Sequence, residues 1–198
     1  MMDQYFSNRP NVVSDPKTLV STLRGHRLTF TTDNGVFSKN DIDFGSRVLI
    51  ETFREPELAG PLLDVGCGYG PISLALAASF TNREIYGVDI NERALFLAKN
   101  NEKQNKIENV IFRESDILSN VSEERFAAIV TNPPIRAGKQ VVHQIFEASK
   151  QALLPQGEFW VVIQKKQGAP SAKKKLEELF TTVEVVHKEK GYFILFAK

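Results

Sequence analysis

The sequence predicts an α/β protein built on a doubly wound, mostly parallel sheet, with an antiparallel C-terminal hairpin and an N-terminal β-hairpin extension. Three observations carry that expectation. From residue 61 onward, short apolar runs alternate with longer amphipathic stretches, the pattern of strands joined by crossover helices. A glycine-rich turn joins the first of these runs to the first helix. The final stretch, VEVVHKEKGYFILFAK, holds two β-rich runs around a polar bend at Glu189 to Gly191 and reads as a hairpin that closes the sheet.

In chain order, LVSTLRGHRLTFTTDNGVF reads as a hairpin around Gly25 and His26, with a further turn at Asp33 to Gly35. Strands are expected at 62–65, 84–88, 110–113, 127–131 and 158–163. The first helix, 71–80, opens on Pro71, whose missing amide donor costs nothing in a first turn. The second starts after Asn91, a good cap with Glu92 behind it, and runs toward Gln104 with Ala94, Leu97 and Ala98 on one face. A third helix spans 139–153, and Pro155 with Gly157 then forces a turn. The last helix is expected at 171–179.

Bulk composition narrows the class. At 198 residues with 42% apolar and 25% charged content, the chain can bury one substantial core. Its one cysteine, Cys67, excludes an internal disulfide and a cysteine-rich zinc site. The three histidines, His26, His143 and His187, fall on a turn, a helix and a strand, so no metal site is expected. No apolar run approaches the roughly 18 residues that span a bilayer, and MMDQYFSNRP lacks a signal-peptide pattern. A cytoplasmic protein with no membrane contact is expected. Net charge is +1, so the whole molecule has no broad field for a polyanion, although residues 164–198 carry eight Lys against four Asp or Glu. That basic run is either a rim for phosphates or a solvated helix.

The segment LLDVGCGYGPISLA brings a strand into Asp64, Gly66, Gly68 and Gly70 and then a helix. Glycines remove the Cβ atoms that would block close approach of a ligand to the backbone. The D-x-G-x-G-x-G spacing differs from that of a dinucleotide loop, and an acid before it suits a ligand with a cationic amino group better than a pyrophosphate. Asp89, 19 residues beyond Gly70, ends the next strand where a carboxylate can hold both hydroxyls of a ribose. Together these favour an adenosyl amino acid. Asp116 is placed either to accept from an adenine amino group, with Ile90 and Ile117 as apolar walls, or to cap a helix.

After the fourth strand come Asn132, Pro133, Pro134 and Ile135. The Asn132 side-chain carbonyl and the Pro133 carbonyl, left without local donors by the two prolines, can each take one hydrogen of an NH2 group and turn its nitrogen toward a sulfonium methyl. A planar, amide-like nitrogen needs such alignment because its lone pair is delocalised. Ile135 offers no aromatic face to a base, which leaves Phe37 or Phe44 either to supply one or to belong to the core, and core is the favoured reading for Phe44. Arg136 and Lys139 follow, either to hold a phosphate beside an extruded base or to open a solvated helix.

DVGCGYG, GVDIN, the NPP turn, LLPQGEFWVVI and the terminal hairpin resemble a class I methyltransferase. YFSN and GVFSKNDIDFGSRVLIETF more narrowly resemble the RsmC-type ribosomal RNA guanine-N2 methyltransferases, over nearly the whole chain. That resemblance implies a seven-stranded sheet, S-adenosyl-L-methionine at Asp64, Gly66, Gly68, Gly70 and Asp89, and a target amine at Asn132 to Ile135. It also implies that Phe37, Ser38, Lys39 and Gly45 lie near cofactor or base, and that the partner is ribosomal RNA or the small ribosomal subunit. The chain then reads as one methyltransferase domain, 1–198, with 1–45 an N-terminal extension and 46–198 the cofactor-binding core. Larger members carry a further N-terminal domain that helps bind RNA. Competing acceptors are a protein glutamine amide or a nucleic-acid adenine, and a third reading is a non-catalytic fold that binds RNA or a partner. The oligomeric state is left open between monomer and homodimer.

Overall fold

The computed structural model describes residues 12–198, so the YFSN stretch at 5–8 lies outside the described residues. β1 (Lys17–Leu23) and β2 (His26–Thr32) form the expected N-terminal hairpin, with Arg24 and Gly25 both at positive φ in its turn. A separate seven-stranded sheet contains β3 (Leu62–Val65), β4 (Ile85–Asp89), β5 (Val110–Glu114), β6 (Phe126–Thr131), β7 (Leu153–Gln164), β8 (Val183–Glu189) and β9 (Tyr192–Ala197). Their order is β5-β4-β3-β6-β7-β9-β8; β9 runs antiparallel to both its neighbours and every other pairing is parallel. Winding proceeds outward from β3 to β5, then returns to β6 on the other side of β3. That reversal opens a crevice beyond the carboxyl ends of β3 and β6, where such sheets bind ligands.

The helices are α1 (Phe44–Thr52), α2 (Pro71–Ser79), α3 (Glu92–Asn105), α4 (Lys139–Ala152) and α5 (Ala169–Leu179). Successive strand residues face opposite sides, so Leu62 joins one buried cluster with Leu49, Leu74 and Leu97 while Leu63 joins another with Phe146 and Leu176. Helices α1 to α3 therefore cover one face and α4 and α5 the other. Each fully buried side chain of this size contributes about 1.5–3 kcal/mol, so both layers are held.

Three features depart from expectation. The sequence reading placed no helix at α1, although Asp43 caps it by accepting from Ser46 N at 3.0 Å, and Val48, Leu49 and Ile50 form its buried face. The division expected at residue 45 consequently falls inside a helix. β7 begins at Leu153, ahead of the expected 158, because the Pro155 to Gly157 bend is a bulge: Phe126 pairs with Leu153 and Ala128 with Glu158. α5 likewise opens at Ala169, with Pro170 in its first turn behind a left-handed Gly168.

The hairpin is fastened to the core by two asparagines one turn apart on α3. Asn101 accepts from Thr31 N at 2.7 Å and donates to Thr31 O at 3.0 Å; Asn105 does the same with Thr29, at 2.9 and 2.7 Å. These amides occupy backbone groups at the edge of β2 that another strand would otherwise fill. Lys173 and Lys175 of the basic run pair with Glu177 and Glu147, which favours the solvated-helix reading for that stretch. Among the described residues, no helix is long and apolar enough to cross a membrane, and no group of three or more His, Cys, Asp or Glu is placed to hold a metal.

Candidate active site

A cavity of about 330 Å³ lies at the switch point. Its floor is the β3–α2 loop. Gly66 and Gly68 have φ of +76° and +58°, which side-chain-bearing residues rarely adopt, and a Cβ built on either meets nothing within 4 Å. The bare backbone thus faces open cavity. Gly66 N and Cys67 N donate to Val88 O at 2.8 and 3.0 Å, which ties the loop to the end of β4. There Asp89 accepts from Gly68 N (2.8 Å) through Oδ2 and from Asn91 N (2.9 Å) through Oδ1. The Ile90 amide also acts on this carboxylate, and burial nevertheless pushes it above its usual range. The Cys67 thiol beside it is pushed up by burial and the neighbouring carboxylates, so it stays a neutral wall.

Ile90, Ser115, Asp116 and Ile117 complete this end. Asp116 caps nothing with its side chain; its backbone carbonyl accepts from Ser119 N at 3.1 Å and the exposed carboxylate borders the cavity. Asp64 and Gly70 stand elsewhere. Asp64 is fully buried behind the loop and accepts from Ser73 N (3.0 Å) and Ser73 Oγ (2.6 Å), while Oδ1 has no partner among the described residues. Its side chain faces the start of α2 and anchors the loop there, and Asp64 does not line the cavity. Burial, augmented by Asp89, raises it to about 7 despite the Ser73 bonds. Gly70 supplies the left-handed residue that begins α2.

Across the cavity, Asn132, Pro133 and Pro134 line the wall that follows β6. Asn132 donates through Nδ2 to Asp43 Oδ2 at 3.0 Å and to Ser46 Oγ at 2.9 Å. A carboxylate only accepts, so the amide nitrogen must face Asp43 and Oδ1 is left toward the cavity. The expectation that Pro133 O lacks a local donor is corrected: Ile135 N donates to it at 2.8 Å across an inverse γ-turn centred on Pro134 (φ −74°, ψ 80°). Its second lone pair remains. The same turn packs Ile135 against the α4–α5 side of the core, away from the cavity, and leaves Arg136 and Lys139 exposed outside it.

The segment from Asp33 to Asp43 closes the third side. Asn91 Nδ2 donates to Gly35 O (2.9 Å), Arg93 to Asn34 O (2.8 Å) and Tyr69 OH to Ser38 O (3.3 Å). Phe37, 39% exposed, and Ser38, at φ 54°, border the cavity. Lys39 does not; its Nζ donates to Asn34 Oδ1 at 2.5 Å and its carbonyl accepts from Thr32. Gly45 lies against the Tyr192 ring, not the cavity, and Phe44 packs on that ring at 5.6 Å between centroids, with Lys190 Nζ 4.7 Å from the centroid of the Phe44 ring. Asp43 and Ser46 escaped sequence reading, though Asp is one of the residue types preferred at a helix N-cap.

The cradle fits an adenosyl amino acid: bare backbone at Gly66 and Gly68, an acid at Asp89 for hydroxyls, apolar walls at Ile90 and Ile117, and Asp116 as an acceptor. Comparison with known proteins agrees. The methyltransferase small domain matches residues 27–196. The uncharacterized protein YbxB of Bacillus subtilis is 57% identical over the whole chain and 99% of its own length. Ribosomal RNA small subunit methyltransferase C of Actinobacillus pleuropneumoniae is 31% identical over 93% of this chain and 56% of its own. The T. thermophilus 16S rRNA N2 G1207 methyltransferase (RsmC), solved with AdoMet and guanosine, superposes with a TM-score of 0.81 at 27% identity, covering 96% of this chain and 52% of that one. The chain thus spans about half the length of these two methyltransferases. It belongs to the methyltransferase small-domain family and carries the class I methyltransferase fold, in which S-adenosylmethionine is the methyl donor.

Proposed function

We propose that this methyltransferase moves a methyl group from S-adenosylmethionine to the exocyclic N2 of a guanine in small-subunit ribosomal RNA. One observation carries the reading: Asn132 is fixed by Asp43 and Ser46 so that its Oδ1 faces a cavity whose opposite wall is the bare glycine loop. The names of the two ribosomal RNA methyltransferase relatives support the substrate class.

The bound cofactor supplies an electrophilic methyl carbon on a sulfonium centre. Gly66 and Gly68 let its amino acid end approach the loop, and Asp89 accepts from its ribose. Asn132 Oδ1 and the second lone pair of Pro133 O each take one hydrogen of the target NH2, which aims the nitrogen at the methyl group and offsets positive charge as it develops. No strong base is needed before transfer, because the proton leaves an already cationic nitrogen afterwards. Phe37 stands at the rim to stack on the base, and Arg136 and Lys139 lie outside the turn where a flanking phosphate passes.

The test is transfer of labelled methyl from S-adenosylmethionine to small ribosomal subunits, naked ribosomal RNA, DNA and protein, with the product identified after digestion. N2-methylguanosine is expected. Label on glutamine or adenine would replace the proposed acceptor, and no transfer to any substrate would favour a non-catalytic binding role.

A further inference from the structure

We infer that Asp43 selects guanine by accepting its N1 proton, alongside the Asn132 and Pro133 oxygens that take the N2 hydrogens. The inference rests on the guanine acceptor proposed above and adds the residue that enforces it. Asp43 lines the cavity next to Asn132. Its Oδ2 is occupied twice, by Ser46 N and by Asn132 Nδ2, each at 3.0 Å. Its Oδ1 takes no hydrogen bond, and the carboxylate forms no ion pair, among the described residues.

Asp43 Oδ1, Asn132 Oδ1 and Pro133 O are thus three acceptor atoms on residues that line one cavity, and Asn132 Nδ2 is already spent on Asp43 and Ser46. The three candidate substrates differ in the edge they offer these atoms. Guanine presents N1–H beside the two N2 hydrogens, donors throughout. Adenine presents a lone pair at N1 beside its amine, and a glutamine amide presents a carbonyl oxygen there. Either would set lone pairs against the carboxylate and leave its Oδ1 without a partner. The N1 proton is shared in this contact and not removed.

The experiment compares nucleosides on the full chain loaded with S-adenosylhomocysteine, with affinities read by ligand-observed NMR. Inosine keeps N1–H and lacks the 2-amine; 2-aminopurine riboside keeps the 2-amine and lacks N1–H. A charge-assisted hydrogen bond at N1 predicts that guanosine binds about 10- to 100-fold more tightly than 2-aminopurine riboside, with inosine ahead of the latter. In Asp43→Asn the side-chain oxygen can still serve Ser46 and Asn132, while an NH2 donor replaces Oδ1 and suits a lone pair at N1. The preference for guanosine should shrink to about 3-fold or less, or invert.

Equal loss of both nucleosides in Asp43→Asn, with their ratio kept, would overturn the inference and leave Asp43 as a prop for Asn132. A wild-type protein that does not favour inosine over 2-aminopurine riboside would overturn it without any variant. Product analysis separates the two readings. N2-methylguanosine formed by a wild type lacking the nucleoside preference sinks the role of Asp43 alone, whereas methyl on another acceptor sinks the guanine reading with it.

Discussion

Replacing Asn132 by aspartate keeps an oxygen toward the cavity and changes the atom that faces Asp43. In the native chain, Asn132 Nδ2 lies 3.0 Å from Asp43 Oδ2. Two carboxylate oxygens at that separation repel by about 5 kcal/mol at an effective dielectric of about 20, and solvent at the cavity mouth reduces this by about half. The charge-assisted hydrogen bond that is lost contributed about 1.5–3 kcal/mol. Uptake of one proton by the new pair caps the total, at a cost of about 6 kcal/mol at pH 8 but about 2 kcal/mol at pH 5.5 for a reference carboxyl. Asn132→Asp should therefore lose about 4 kcal/mol at pH 8, a fall in Tm of about 8–16 °C for a chain of this size, and about half that at pH 5.5. Thermal unfolding followed by circular dichroism at both pH values measures it, and kcat for methyl transfer should fall at least about 100-fold at pH 8. A variant melting within about 2 °C of wild type at pH 8 would refute the Asn132–Asp43 contact and the amide orientation deduced from it.

Gly68→Ala puts a methyl into open cavity at φ +58°; Tm should drop by a few degrees, while S-adenosylmethionine affinity by calorimetry falls about 10-fold or more, and unchanged affinity would contradict the placement of the cofactor on this loop. Asp64, raised to about 7, holds a proton in the folded chain that the unfolded chain releases near 3.8, so its stabilising contribution is present below about pH 4 and lost as pH rises toward 7. Asp64→Asn lacks that loss, and the Tm of the cofactor-free variant minus that of wild type should climb by several degrees between pH 5 and 8; parallel curves would argue against a protonated buried Asp64. Phe37→Ala should lower kcat/KM for RNA about 10-fold through lost stacking, with S-adenosylmethionine binding nearly unchanged, whereas equal RNA kinetics would remove Phe37 from the base site.

What was legible in the sequence was whatever local pattern specifies. The alternation of apolar runs and amphipathic stretches led to the doubly wound, mostly parallel sheet, because a strand buried on both faces and a crossover helix differ in periodicity; its seven strands were what the family resemblance implied. Gly66, Gly68, Asp89 and Asn132 stand at strand ends, and strand ends on one side of such a sheet converge wherever the winding reverses. Side-chain direction was not legible. Asp64 and Asp89 both read as acids facing the ligand, one for an amino group and one for ribose hydroxyls, yet packing points the first at Ser73 in the first turn of α2 and leaves the second on the cavity. Ile135 and Pro133 are neighbours in sequence, and a γ-turn sends one to the core and keeps the other at the site. The contact that orients Asn132 joins residues 89 positions apart through a helix the sequence reading omitted. Periodicity and glycine spacing are properties of a few adjacent residues and survive in one dimension; which oxygen faces a ligand depends on distant segments competing for the same hydrogen-bonding groups, and only the folded chain decides that.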